Sequence, residues 1–223
     1  MDPRELSDQY ASFSMISSRT RIVLLKRLAC LFSGLTLFGV GIALTAIANL
    51  GLPPWEILHQ GISRRTGIPL GTIGIITGGL VLLGWIPLRE KVGFGTVMNV
   101  LIIGIVIDIT MLILPEESGS TSWQWVAMFG GIGLVGMGSG LYIGAGFGPG
   151  PRDGLMTAFA RRGYRMRRTR TIVESLVLVT GWLLGGTVGA GTVFFALGVG
   201  PAVEYFFHRT SIVPINVKTR SRT

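Results

Sequence analysis

Apolar positions gather into six continuous blocks of 18 to 25 residues, at 28–50, 68–88, 94–114, 123–147, 171–188 and 190–207. Each block is long enough to cross a hydrocarbon core of about 30 Å as a helix. None sustains the strict alternation of a barrel strand, so the pattern predicts an all-α integral membrane protein with six transmembrane helices. The polar stretches between and around them read as an N-terminal arm (1–27), an external loop (115–122) and a C-terminal tail (208–223).

Composition reinforces this pattern, with 48% apolar residues and 14% charged ones. Thirty-four glycines would weaken soluble helices, whereas in a bilayer small residues let helix backbones approach closely. The block at 123–147 carries Gly130, Gly131, Gly133, Gly136, Gly138, Gly140, Gly144 and Gly146, and is expected to be buried among its neighbours. A single cysteine excludes an internal disulfide, and two histidines leave transition metals almost without ligands. No cofactor is expected.

Charge sets the orientation. With the N-terminus inside, 18 of the 20 basic residues fall in cytoplasmic segments, and the external loops keep Arg64 and Arg65. Both termini are therefore expected in the cytoplasm. The run from Arg161 to Arg170 resembles a nucleic-acid patch when read alone. Immediately beside a membrane helix, it is better explained by anionic lipids at the cytoplasmic face.

The chain also resembles itself at an offset of 97 residues. Gly51, Pro54, Glu56, Leu58, Arg64, Arg65, Gly84 and Trp85 align with Gly148, Pro151, Asp153, Leu155, Arg161, Arg162, Gly181 and Trp182. At an offset of 96, Gly93, Gly95, Thr96, Leu101, Gly104 and Asp108 align with Gly189, Gly191, Thr192, Leu197, Gly200 and Glu204. Each copy holds three spans, an odd number, so the second begins on the opposite side of the membrane. Repeat 1 (28–114) and repeat 2 (123–207) are thus expected to be inverted, a recurring device of alternating-access transporters.

The candidate site lies where each repeat breaks its first helix, at Gly51-Leu52-Pro53-Pro54-Trp55-Glu56 and at Gly148-Pro149-Gly150-Pro151-Arg152-Asp153. Pro54 and Pro151 suit the first position of a new helix, and the acids then face its positive end. The short helices that follow are amphipathic. In the first, Trp55, Leu58 and Ile62 oppose Glu56, His59, Gln60 and Ser63; in the second, Leu155, Met156 and Phe159 oppose Asp153 and Thr157. They either lie flat at the interface or re-enter the membrane. If they re-enter, Trp55, Glu56, Arg152 and Asp153 line a substrate site, with Arg152 available to an anionic group. Asp108, Glu174 and Glu204 are intramembrane acids suited to proton or ion coupling or to structural pairing. Glu174 has Arg170 four residues earlier on the same face. Asn99, Thr77 and Thr180 read as interhelical hydrogen-bonding residues.

These motifs, with Gly93-Phe94-Gly95-Thr96, the stretch from Leu141 to Leu155 and Gly181-Trp182-Leu183-Leu184-Gly185-Gly186, resemble the YczE/YitT group of bacterial membrane proteins, on its YczE branch. The resemblance spans about residues 34 to 207. It implies a bacterial inner-membrane protein, in the manner of a small-molecule exporter, and carries no catalytic residues with it. The expected function is small-molecule secondary transport, with proton-coupled export as its leading form. A substrate-binding subunit or an accessory membrane protein without transport of its own stays open. No Ser-His pair, metal cluster or phosphate loop supports an enzyme. The expected partners are the bilayer with its anionic lipids and a small molecule of unspecified kind; nucleic acid is not among them, and a homodimer is allowed.

Overall fold

A computed structural model describes residues 3–114 and 120–210, with side chains from Arg21 onward. The expected external loop and tail lie for the most part outside the described residues. Eight helices follow one another: α1 (Pro3–Ala48), α2 (Pro54–Thr66), α3 (Leu70–Leu88), α4 (Phe94–Ile113), α5 (Thr121–Gly144), α6 (Pro151–Arg161), α7 (Met166–Leu183) and α8 (Ala190–Thr210). Among the described residues there is no strand.

Five helices are long and apolar enough to cross a membrane: Arg21–Ala48 of α1, then α3, α4, α5 and α8. The sixth expected span is different. Its helix, α7, begins five residues earlier than the apolar block and ends five earlier, because Gly185 and Gly186 leave the helix after Leu183. It therefore takes in Arg167, Arg168, Arg170 and Glu174, too many charges to qualify on composition alone. The N-terminal arm continues into the first span as one helix: α1 runs without a break from Pro3 to Ala48. Pro3 sits where a helix tolerates proline, and no glycine or proline interrupts the next thirty residues.

The centre of the molecule is the antiparallel pair α1 and α5, with α4 packed on α1 and α8 on α5. Glycines set the approach of the central pair. A Cβ on Gly34 would stand 2.7 Å from the Gly138 carbonyl oxygen, and one on Gly41 would stand 2.7 Å from that of Gly131. The two crossings relate to one another by the 97-residue offset. Ile42, Met128, Ile132, Val135 and Phe195 fill the core around one crossing, and Leu31, Leu35, Tyr142 and Ala145 that around the other. Gly130 and Gly133 do not join this packing; both would find open space around an added Cβ. They lie on the face of α5 turned away from α1.

The two short helices are inside the bundle. α2 packs along α7 and α3, and α6 packs on α3 and α7. Positive φ angles at Gly51 (115°) and Gly148 (123°) make the turns that lead into them, in a region that favours glycine. Pro53 and Gly150 then occupy the N-cap positions, with Pro54 and Pro151 first in each helix. Both turns are fastened in the same way: Gly95 N donates to Phe147 O at 3.0 Å, and Gly191 N donates to Leu50 O at 2.8 Å.

Candidate functional site

α2 turns its polar side inward. Glu56, His59 and Gln60 are buried together with Ile57 and Gly61, while Trp55, Leu58 and Ile62 are half-buried. In water an amphipathic helix would present the opposite face; a helix enclosed in a membrane bundle satisfies its polar groups against protein. The face that α2 packs against α3 and α7 is therefore its polar one. Spacing at 56, 59 and 60 places all three residues on one helical face, which is the sequence signal for this arrangement.

Each buried group finds a partner on another helix. The Thr77 hydroxyl lies 2.7 Å from His59 Nε2 and 2.9 Å from Ile73 O, so it joins α2 to α3. Thr77 is thus interhelical, as expected. Gln60 Oε1 accepts from Thr187 N at 2.7 Å, tying α2 to the segment between α7 and α8. At the far end of α2, Arg64 donates to Gly185 O at 2.6 Å and Arg65 to Leu184 O at 2.9 Å. These two arginines supply donors to the orphan carbonyls that end α7. Charge counting alone gave them no task.

The first turns of α2 and α6 meet. Arg152 Nη2 donates to Glu56 Oε1 at 2.8 Å, and the guanidinium carbon lies 5.0 Å from the centre of the Trp55 ring. Glu56 faces the positive end of its own helix, which suits a carboxylate; Arg152 sits at the positive end of α6, which does not suit a cation. Glu56 offsets that placement. The Glu56 side chain is only 4% exposed, and its second oxygen, Oε2, is buried without a hydrogen-bond partner. Arg152 is 35% exposed. Asp153, adjacent to it in sequence, makes no hydrogen bond to the pair and is exposed.

α6 is held against α3 by Trp85. Its indole N–H donates to Pro151 O at 3.2 Å, and Gly154 lies so close to the ring that any side chain there would collide with it. Thr96 of α4 donates to Pro149 O at 2.8 Å. Beyond them, Arg161 pairs with Glu90 at 2.8 Å and Arg162 donates to Pro87 O at 3.5 Å. Part of the arginine run assigned to lipid therefore anchors the end of α3. A cavity of about 290 Å³ opens here, lined by Trp85, Glu90, Pro149, Gly154, Thr157 and Arg161 among others.

The three acids expected within spans separate into three situations. Asp108 accepts from Gly71 N at 2.6 Å and from Thr72 Oγ1 at 2.7 Å, so it caps α3 from the neighbouring helix α4. The N-cap of α3, Pro69, offers no side-chain acceptor of its own. Glu174 is paired with Arg170 at 2.8 Å, the partner its spacing predicts. Glu204 is exposed on α8, and its carboxylate makes no hydrogen bond among the described residues. None of the three lies at the Glu56–Arg152 pair. Among the described residues no group of histidine, cysteine, aspartate and glutamate could hold a metal ion.

Comparison with known proteins agrees with the membrane assignment. A Haemophilus influenzae protein of unspecified role is 35% identical over 190 residues, covering 85% of this chain and 87% of its own. The Bacillus subtilis membrane protein YczE is 32% identical over 196 residues, covering 86% and 90%. A second B. subtilis protein, YyaS, is 28% identical over 163 residues, covering 71% and 81%. No solved structure matches the chain. Residues 25–208 match the family of unknown function DUF6198. That match takes in α2 to α7 and most of α1 and α8, so the chain belongs to this family and is a membrane protein similar to YczE.

Proposed function

We propose that this protein is a small-molecule secondary transporter of the bacterial inner membrane, working by alternating access between two inverted three-helix repeats. In this scheme α7 is the sixth span, with its arginine-rich start at the cytoplasmic face and its C-terminal end outside. α2 and α6 are half-helices entering from opposite sides, and their N-termini meet at Glu56 and Arg152 between the repeats. Broken helices whose ends converge at a repeat interface are the usual construction of a transporter site.

The observation that carries the proposal is a difference between matching parts. Gly71, Gly104 and Asp108 lock α3 to α4. Gly200 and Glu204, which align with Gly104 and Asp108, do nothing comparable for α7 and α8: a Cβ on Gly200 would meet open space. Two copies of one sequence pattern held in two packings are what alternating access requires, since the other state arises when the halves exchange packings. The cavity beside α6 then belongs to the side that is open in this state, and its inner wall, Pro149 and Gly154, flanks Arg152 and Asp153.

The test uses paired cysteines in a Cys30→Ser background. Gly78 and Val100 are in contact between α3 and α4, and Ser175 and Ala196 are their counterparts by offset. Ser175→Cys with Ala196→Cys is expected to cross-link in membrane vesicles as the exchanged state is visited, and the cross-link should stop substrate flux in proteoliposomes. If oxidant only ever joins the Gly78→Cys and Val100→Cys pair, the halves do not exchange and the accessory-protein alternative replaces transport.

A further inference from the structure

The environment of the Arg152 guanidinium is a small cage for an organic cation. One wall is the Trp55 ring, 5.0 Å from the guanidinium carbon. Another is the Glu56 carboxylate, 2.8 Å from Nη2. Aromatic face and buried carboxylate are the two groups that bind a weakly hydrated cation well. We propose that the physiological ligand of this site is an organic cation carrying N–H donors, of the amine or amidine class, and that Arg152 stands in for it while the site is empty.

Three observations support this choice over an anion. Glu56 Oε2 is a buried acceptor that no donor reaches, and an incoming carboxylate or phosphate would bring only further acceptors against it. A ligand N–H would complete it. Arg152, the group that an anion would need, already carries Glu56, and an anion that took it over would leave the Glu56 carboxylate buried with neither oxygen partnered. Nearby charge favours the same sign. Asp153 leaves a second carboxylate exposed beside the cage, while Arg170 is engaged by Glu174.

Displacement is physically open because Arg152 is 35% exposed whereas Glu56 is almost fully covered. The arginine can swing outward while the carboxylate stays. A ligand amidinium then takes over the bond to Oε1, reaches Oε2 with its second nitrogen, and lies on Trp55. A quaternary ammonium could use the ring but would leave Oε2 unpartnered. The inference rests on the transport proposal for the route of the ligand, and on the cage alone for its binding.

Benzamidine, benzoate and phenyltrimethylammonium share a phenyl group and differ in charge and N–H donors, which makes them a suitable probe set. Binding to the purified protein in detergent is read by calorimetry and by tryptophan fluorescence. Benzamidine should bind the native protein weakly, and Arg152→Gln should tighten it about tenfold by removing the internal competitor, a change of about 1.4 kcal/mol. Arg152→Lys, which keeps the charge for folding and loses much of the ring contact, should tighten it about threefold. Glu56→Gln should abolish binding, and phenyltrimethylammonium should bind more weakly than benzamidine throughout.

Preference for benzoate, or a benzamidine affinity that neither position 152 nor position 56 alters, would overturn the cation assignment. The two proposals fail separately. Benzamidine binding without cysteine exchange at 175 and 196 removes transport and keeps the cage; exchange without benzamidine binding does the reverse.

Discussion

In the first half of the chain, α3 and α4 form a close seam; in the second, α7 and α8 make none, although the two pairs are built on the same pattern. Gly71 and Gly104 let the first pair touch backbone to backbone, and Asp108 reaches across to close the first turn of α3. At the positions corresponding to Gly71 and Thr72, α7 carries Arg168 and Thr169. A Cβ at the Gly71 position would collide with the Gly104 carbonyl oxygen, so Arg168 holds α7 and α8 further apart than α3 and α4 even when they face one another. The comparison teaches that a sequence repeat constrains which contacts are available, while the rest of the molecule decides which of them form at one time. α7 instead lies along α2, where Gly61, Gly181 and Gly186 permit close packing and Arg64 and Arg65 close its C-terminal end.

The largest effect is expected at the contact that holds both halves together. Arg152→Ala leaves the Glu56 carboxylate buried without a counter-ion, and breaking such a pair typically costs about 3–5 kcal/mol. The thermal midpoint in detergent should fall sharply, and the double substitution Glu56→Gln with Arg152→Ala should recover much of the loss. Equal losses in the single and double variants would remove the pair from the balance of forces.

Gly104→Ala and Gly200→Ala then set the two seams against each other. The added methyl at 104 meets Ile75 Cγ1 at 2.5 Å and the Gly71 carbonyl oxygen at 2.6 Å. Overpacking of this kind costs about 1–3 kcal/mol. At 200 the methyl meets nothing, so stability should hold or rise by up to about 1 kcal/mol as the helix loses a glycine. Should the exchanged state matter, Gly200→Ala ought still to slow flux, and a variant with native flux would weaken the exchange scheme.

Smaller again is the difference between Asp108→Asn and Glu204→Gln. Removing the charge from the cap of α3 should cost about 0.3–1 kcal/mol, the usual worth of a negative charge at a helix N-terminus. Glu204→Gln should leave the melting midpoint in place, because that carboxylate makes no hydrogen bond among the described residues. A midpoint lowered equally by both would mean that the seams are more alike than their packing indicates. Arg65→Ala completes the series. Loss of its bonds to Leu183 O and Leu184 O should lower stability by about 0.5–1.5 kcal/mol, the usual net worth of a hydrogen bond.

Much of the scaffold was legible because its signals are local. Continuous apolar length identifies α1, α3, α4, α5 and α8, since a helix needs no partner to meet its backbone hydrogen bonds in a bilayer. The breaks at Gly51-Pro54 and Gly148-Pro151 are equally local, because only glycine adopts those φ values freely and proline starts a helix without loss. The site was half legible. Trp55, Glu56, Arg152 and Asp153 sit where the breaks placed them; the first three are in contact, and Asp153 is exposed beside them. That His59 would face Thr77 and Trp85 would bind Pro151 had no local signal, because each contact joins helices far apart in sequence.

The sequence by itself therefore determined helix identity, the positions of the breaks and the internal repeat, all of which follow from hydropathy and backbone chemistry within about twenty residues. Only the tertiary structure decided that α2 turns its polar face inward, that Glu56 is held by Arg152, and that Asp108 caps a helix while its counterpart Glu204 does not. Those outcomes depend on which polar group first finds a partner in a setting with no water to substitute for one. A periodic pattern cannot encode that choice, because both copies of the repeat carry nearly the same pattern and only one conformation at a time can satisfy each.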